Sequence, residues 1–243
     1  MPDDTGGTDD GRSELFASSP CLMHELDPTF GGSPLDREQA RDVARWRKAE
    51  RERLIAARQA LSVQERTDHA RRLARQLDEI IPSGPTIIVG AYWPFRGEPD
   101  LRDWMGTMTT RGARVALPVV VAKGEPLVYR EWHPQARLER GVWNIPFPVD
   151  GAAVMPTWVI APLVGFDAAC YRLGYGGGFF DRTLAVLHPR PAAVGVGHPV
   201  CALKTIFPQP HDIPMDWIVT GDAPATSRAG REQLPVTTST RSA

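Results

Sequence analysis

Between residues 172 and 182 the chain reads Arg-Leu-Gly-Tyr-Gly-Gly-Gly-Phe-Phe-Asp-Arg, an order of residue types that suits the binding of an anion. Gly174, Gly176, Gly177 and Gly178 put four glycines in five positions, which removes the Cβ atoms that would hold a ligand away from the backbone. A helical pattern starts at Phe179, so free N–H groups and the positive end of a helix dipole would face whatever the loop holds. Arg172 and Arg182 bracket the glycines with fixed positive charges that a plain turn does not need. Asp181 stands where a carboxylate could take a magnesium ion bridging phosphates, as hard oxygen ligands do. The loop is not a dinucleotide fingerprint, because Phe179 occupies the position of the last Gly or Ala, and it is not a Walker A loop, because no Gly-Lys-Ser/Thr follows. Taken alone, it is also compatible with a glycine-rich reversal of the chain.

Three other groups could do chemistry. Arg47, Arg51, Leu54, Arg58 and Leu61 fall at steps of four, three, four and three, along one side of a helix; this basic stripe is either a solvated face or a clamp reaching toward phosphate. Trp93 and Glu98 lie in an aromatic and charged loop directly after a β-branched run, and open α/β sheets hold ligands in the loops at the C-terminal ends of their strands. For Glu98 the plain reading is a charge that favours a nearby helix start. Trp143 sits in the proline-locked stretch Gly141 to Pro148, where its ring could stack on a flat heterocycle or plug the core.

These residues need elements to position them. A helix is expected from Asp36 to about Ala60 and a second from Val63 to Ile80, ending before Pro82. Thr86–Tyr92, Arg114–Val121, Leu127–Trp132, Trp158–Phe166, Ala192–Gly197 and Met215–Thr220 read as strands, with helices at Leu101–Thr110 and from Phe179 to Leu187. Alternating strands and helices predict an α/β fold, an open and mainly parallel sheet with helices on both faces, that is, a Rossmann-like three-layer sandwich. One domain is expected over residues 36–220. The polar, small-residue stretches 1–35 and 221–243 read as disordered extensions. Within the first of them, the patch Cys21-Leu22-Met23-His24 is expected to dock on the domain surface.

A chain of 243 residues with 42% hydrophobic and 23% charged residues is that of an ordinary globular protein. Its net charge of −1 gives no reason to expect a nucleic-acid or membrane-surface partner. Three cysteines, Cys21, Cys170 and Cys201, lack metal-ligand spacing and fit a reducing compartment. With no signal-peptide pattern and no apolar run of membrane length, a cytoplasmic protein is expected.

Several separated segments together resemble the 5-formyltetrahydrofolate cyclo-ligases, also called methenyltetrahydrofolate synthetases. They are Arg47-x-x-x-Arg51 with Arg58, Glu98-Pro99-Asp100, Trp143-Asn144-Ile145-Pro146, Gly165-Phe166-Asp167, Arg172 through Arg182, and Asp212-Ile213-Pro214-Met215-Asp216. The resemblance covers about residues 40 to 220. It implies conversion of 5-formyltetrahydrofolate to 5,10-methenyltetrahydrofolate, with ATP as co-substrate, magnesium as cofactor, and ADP and phosphate released. The formyl oxygen would be phosphorylated, and the neighbouring folate nitrogen would close the ring.

The same resemblance implies catalytic roles for Arg172, Tyr175 and Asp181. It implies ATP contacts from Arg47, Arg51, Arg172, Leu173, Gly174, Tyr175, Gly176, Gly177, Gly178, Phe179 and Phe180. Substrate contacts fall to Trp93, Glu98, Trp143, Tyr175 and Phe179, and metal contacts to Asp181 and Asp216. The family's N-terminal lysine position holds Arg47, or Lys48 in a register one residue on. Some members carry basic residues inside the glycine loop where this chain has Tyr175 and Gly177, and compensation is expected from Arg96 or Arg182. A monomer is expected. The competing readings are a non-catalytic folate-binding paralogue and another phosphate-binding enzyme, such as a sugar-phosphate isomerase.

Overall fold

The computed structural model describes residues 34–228. The chain divides into two compact units, Met1–Ala49 and Glu50–Ala243. The first is described only from the start of helix α1 (Pro34–Gln59), which ends in the second unit. Most of the expected N-terminal extension, with its Cys21–His24 patch, and residues 229–243 of the expected tail lie outside the described residues.

Helix α2 (Val63–Ile80) starts at a capping box, with the Ser62 hydroxyl accepting from the Glu65 N–H and the Glu65 carboxylate accepting from the Ser62 N–H. It ends where Ile81, just before Pro82, turns extended. There follow β1 (Ile88–Gly90), α3 (Arg102–Thr110), β2 (Arg114–Val119), β3 (Val128–Trp132), β4 (Leu138–Arg140), β5 (Pro146–Pro148), β6 (Ala153–Val154), β7 (Trp158–Pro162), β8 (Gly165–Phe166), β9 (Arg172–Leu173), α4 (Phe179–Val186), β10 (Ala192–Val196), β11 (Trp217–Val219) and β12 (Thr226–Ser227).

Eight strands form one sheet in the order β12-β11-β10-β7-β1-β2-β3-β6. The central run from β11 to β2 is parallel, whereas β12, β3 and β6 add antiparallel edges. The two-residue period of the strands divides the core. Val89, Val115, Leu117, Trp158, Ile160, Val194 and Val196 point to the face covered by Leu73 and Leu77 of α2 and Trp104, Met105 and Met108 of α3. Their neighbours Ala116, Val159, Ala161 and Ala193 point to the opposite face, where Leu184 of α4 packs. Small residues on that second face leave room for large ones: a Cβ on Gly90 would stand 2.7 Å from the ring of Tyr129. The expected three-layer α/β architecture is therefore present.

Three expectations change in detail. The run Trp158–Phe166 is not one strand: the Leu163 N–H still bonds to Val196, but the Val164 N–H turns to Leu173, and β8 pairs with β9 in a separate ribbon. The stretch Gly141 to Pro148 belongs to a hairpin of β4 and β5, closed by a 3-10 turn at Val142–Asn144 in which Trp143 and Asn144 have φ of 55° and 62°. The expected disordered tail is corrected over its first residues, because β12 pairs with β11 and the Gly221 N–H and Ala223 carbonyl bond to the Gln76 side chain. A short edge strand is made by backbone groups, so polar, small residues conceal it.

Candidate active site

Loops following β1 and β7, parallel neighbours in the sheet, carry the chemistry-bearing residues. After β7 the chain makes the β8–β9 ribbon and enters the glycine loop. Gly176 and Gly178 take φ of 91° and 64°, a left-handed backbone that glycine adopts without strain, and Gly178 is the N-cap of α4. Arg51 of α1 reaches this loop, its Nε–H donating to the Gly174 carbonyl at 2.7 Å. A Cβ on Gly176 would lie 3.4 Å from the Arg51 guanidinium carbon, so glycine there serves both the turn and the approach of the cation.

Arg172 is buried and forms an ion pair with Asp181 at 2.6 Å, while its guanidinium lies over the Phe180 ring at 5.0 Å. The other Asp181 oxygen accepts from the Ile213 N–H at 3.2 Å. Arg182 donates to the Gly177 carbonyl and lies over the Phe179 ring at 5.3 Å. Trp143 meets the edge of Phe179 with ring centroids 6.0 Å apart and is 54% exposed. The alternative of a core plug for Trp143 is thereby removed. Leu173 is different: its side chain is buried with Leu54, Val164, Cys201 and Ile206, leaving only its backbone to the loop.

The loop after β1 is held from behind. Arg58, fully buried, donates through Nε to the Arg96 carbonyl at 2.8 Å, through Nη1 to Leu163 at 3.0 Å, and through Nη2 to Phe95 at 3.4 Å and to the Tyr175 hydroxyl. Glu98 is buried, accepts from the Phe95 N–H at 2.9 Å, and stands 3.8 Å from Arg58 Nη2. Burial pushes its carboxyl up to about 7 against the opposing pull of Arg58. The solvated-face reading of the basic stripe fails here, since Leu54 and Arg58 are both wholly buried. Of the groups expected to compensate for the uncharged loop positions, Arg182 meets Gly177, but Tyr175 is met by Arg58 rather than Arg96, whose guanidinium lies over Phe95.

Trp93 packs against the core on the α2 and α3 face, with Arg102 over its ring at 5.2 Å. Asp216 is buried and joins β10 to β11, its Oδ2 accepting from the Ala193 N–H at 2.8 Å and its Oδ1 3.7 Å from Arg190. Arg47, in the first unit, is 8% exposed. Among the described residues no three His, Cys, Asp or Glu side chains converge on a common point. Asp181 takes the Arg172 guanidinium on one oxygen and the Ile213 N–H on the other, and Asp216 takes the Ala193 N–H.

Sequence reasoning missed Tyr92, whose hydroxyl donates to the Pro99 carbonyl at 2.7 Å, and His198, whose Nε2 lies 3.0 Å from the Gly97 carbonyl. Both act on backbone carbonyls, which leave no residue-type signal.

Sheet, glycine loop and bracing arginines define the class: a three-layer α/β enzyme whose site lies beyond the C-terminal ends of neighbouring parallel strands. The family model described as the 5-formyltetrahydrofolate cyclo-ligase family matches residues 43–221. The chain belongs to the 5-formyltetrahydrofolate cyclo-ligase family. It is 31% identical over 171 residues to the 5-formyltetrahydrofolate cyclo-ligase of Escherichia coli K12, covering 67% of this chain and 93% of that protein. It is 29% identical over 175 residues to that of Mycolicibacterium smegmatis, covering 69% and 89%. Among solved structures, the Aquifex aeolicus 5,10-methenyltetrahydrofolate synthetase aligns with TM-score 0.65 at 25% identity over 80% of this chain and 98% of that one. The Mycoplasma pneumoniae 5,10-methenyltetrahydrofolate synthetase, at 20% identity and TM-score 0.60 over 72% and 99%, shares the fold.

Proposed function

We propose that this chain converts 5-formyltetrahydrofolate and ATP to 5,10-methenyltetrahydrofolate, ADP and phosphate. The observation that carries the reading is Arg51 closing on the glycine loop at Gly174 and Gly176, in a chain of this family. A formyl oxygen is a poor leaving group until phosphorylated. Transfer of the phosphoryl group to it, attack by the neighbouring folate nitrogen on the activated carbon, loss of that nitrogen's proton and departure of phosphate complete the conversion. Phosphoryl transfer asks the protein for positioning and charge neutralisation more than for covalent chemistry.

In this reading the N–H groups of residues 174–178 and the start of α4 receive the nucleotide phosphates, with Arg51 and Arg172 as the cationic side; an ATP contact from Arg47 is proposed on the family resemblance alone. Phe179 and Trp143 offer faces and edges to the folate heterocycle, and Glu98 and Tyr175 lie on the substrate side. Magnesium enters as the ion that accompanies the phosphates, which commonly supply its ligands together with water; Asp181 acts through Arg172. A monomeric, cytoplasmic enzyme remains the expectation from the sequence.

The test is to mix the purified protein with 5-formyltetrahydrofolate, ATP and magnesium and follow the long-wavelength absorbance of the methenyl product. Growth of that absorbance only when ATP and magnesium are both present supports the reading. No growth, with folate binding retained in calorimetry, points instead to a binding paralogue.

A further inference from the structure

The loop from Phe95 to Pro99 is fastened by an unusual set of buried side chains. Arg58 holds the Phe95 and Arg96 carbonyls, His198 Nε2 meets that of Gly97, and the Tyr92 hydroxyl holds that of Pro99. The backbone so fixed is strained at Arg96, a non-glycine residue at φ 46°, whereas Gly97 takes its φ of 76° freely. Such a conformation persists when its surroundings over-determine it. What it presents is Glu98, which faces Arg58 and Tyr175. It also lines a groove of about 440 Å³ together with Gln59, Arg66 and Thr67.

Arg58 is the common member. It joins α1 to the loop after β1, to Leu163 at the end of β7 and to the glycine loop through Tyr175. A planar fork of five donors can serve three segments at once, which the point charge of a lysine cannot. The Glu98 carboxylate stands 3.8 Å from its Nη2.

We propose that Arg58 is the positioning residue of this site: one buried guanidinium fixes the Glu98 carboxyl and the Tyr175 hydroxyl relative to each other and supplies the counter-charge of Glu98. The proposal rests on the folate and nucleotide reading only in calling the space beyond Glu98 and Tyr175 a substrate site. The groups that face Glu98 are Arg58 from α1, Tyr175 from the glycine loop and Tyr92 just past β1, while Asp100 and Arg66 line the same groove and His198 is one carbonyl away. Arg58 and the Tyr175 hydroxyl both pull the carboxyl down, and burial outweighs them.

The experiment is a carboxyl titration by 13C NMR on the full chain labelled at glutamate Cδ, with the Glu98 resonance identified by its loss in Glu98→Gln. The wild-type midpoint is expected at about 7. In Arg58→Met it should rise by roughly one to three units, the usual influence of an opposite charge at this range. Arg58→Lys should return it toward the wild-type value while methenyl formation stays depressed, because charge is restored and the fork is not. Tyr175→Phe should give a smaller rise and serves alone if Arg58→Met does not fold. A midpoint that stays at the wild-type value in Arg58→Met, or in Tyr175→Phe when that variant is used, overturns the proposal; so does full turnover in Arg58→Lys. Because the titration needs no turnover, a wild-type protein that forms no methenyl product would end the functional reading and leave this one standing.

Discussion

The Arg51 guanidinium lies against the glycine loop, donating to the Gly174 carbonyl at 2.7 Å and passing beside Gly176. In the proposed function Arg51 belongs to the phosphate side of the site and not to the ring side. Charge-assisted contacts of this kind contribute about 1.5–3 kcal/mol. Arg51→Ala is expected to weaken ATP binding by about 10- to 100-fold while leaving 5-formyltetrahydrofolate affinity within about two-fold. Calorimetry with each ligand separately decides this, and equal losses for both would remove the phosphate clamp.

Asp181 is expected to behave as the partner of Arg172 rather than as a metal ligand, given the 2.6 Å ion pair. Removing one member of a mostly buried pair leaves the other charge uncompensated, at a cost of up to about 3–5 kcal/mol, and less here where Asp181 keeps some exposure. Asp181→Ala should lower the urea midpoint and turnover together, with the half-saturating magnesium concentration unchanged. A large rise in that concentration at unchanged stability would return Asp181 to the metal.

Trp143 is 54% exposed and touches Phe179 at the mouth of the loop. Trp143→Ala should change stability by less than about 0.5 kcal/mol, as surface substitutions do. The KM for folate should rise several-fold while that for ATP is retained. Steady-state kinetics with each substrate varied in turn would show this, and an unchanged folate KM would place the tryptophan outside the folate site.

Two buried groups give opposite contributions to stability against pH. Glu98 is raised by burial from 4.5 to about 7, so its contribution is fully present below about 4.5 and is lost as pH rises toward 7. His198 is lowered by burial from 6.5 to about 4, so its contribution is present above 6.5 and is lost as pH falls toward 4. Urea unfolding of Glu98→Gln from pH 4.5 to 7 should thus show stability rising with pH more steeply than in the wild type. A slope identical to wild type would mean that Glu98 does not titrate in this window.

Gly90 carries the ring of Tyr129, and an added Cβ would fall 2.7 Å from it. Gly90→Ala should destabilise the domain by about 1–3 kcal/mol through overpacking of a tight core. A urea midpoint equal to that of the wild type would show that the ring can shift aside.

The sequence by itself determined the layers and the glycine loop, because both are local in origin. Strands such as Trp158–Pro162 and Ala192–Val196 are β-branched or apolar runs, and the end of helix α2 is marked by Pro82. Loop glycines are legible because only glycine takes positive φ freely, as Gly176 and Gly178 do. Arg51 stands in the helical stripe, whose two readings, solvated face and phosphate clamp, the residue spacing left open.

What only the tertiary structure decided is what each charged side chain faces. Arg58 belongs to the same stripe as Arg51, yet one turns to the glycine loop and the other is buried behind Glu98, because the partners lie 117 and 38 residues away for Tyr175 and Arg96. Asp181 and Asp216 look alike in sequence as carboxylates near a phosphate loop. One is engaged by Arg172 and the Ile213 N–H and the other by the backbone of β10. Residue type sets the charge and its reach; long-range packing sets the partner, and backbone carbonyls such as those of Phe95, Arg96 and Leu163 carry no mark in the sequence at all.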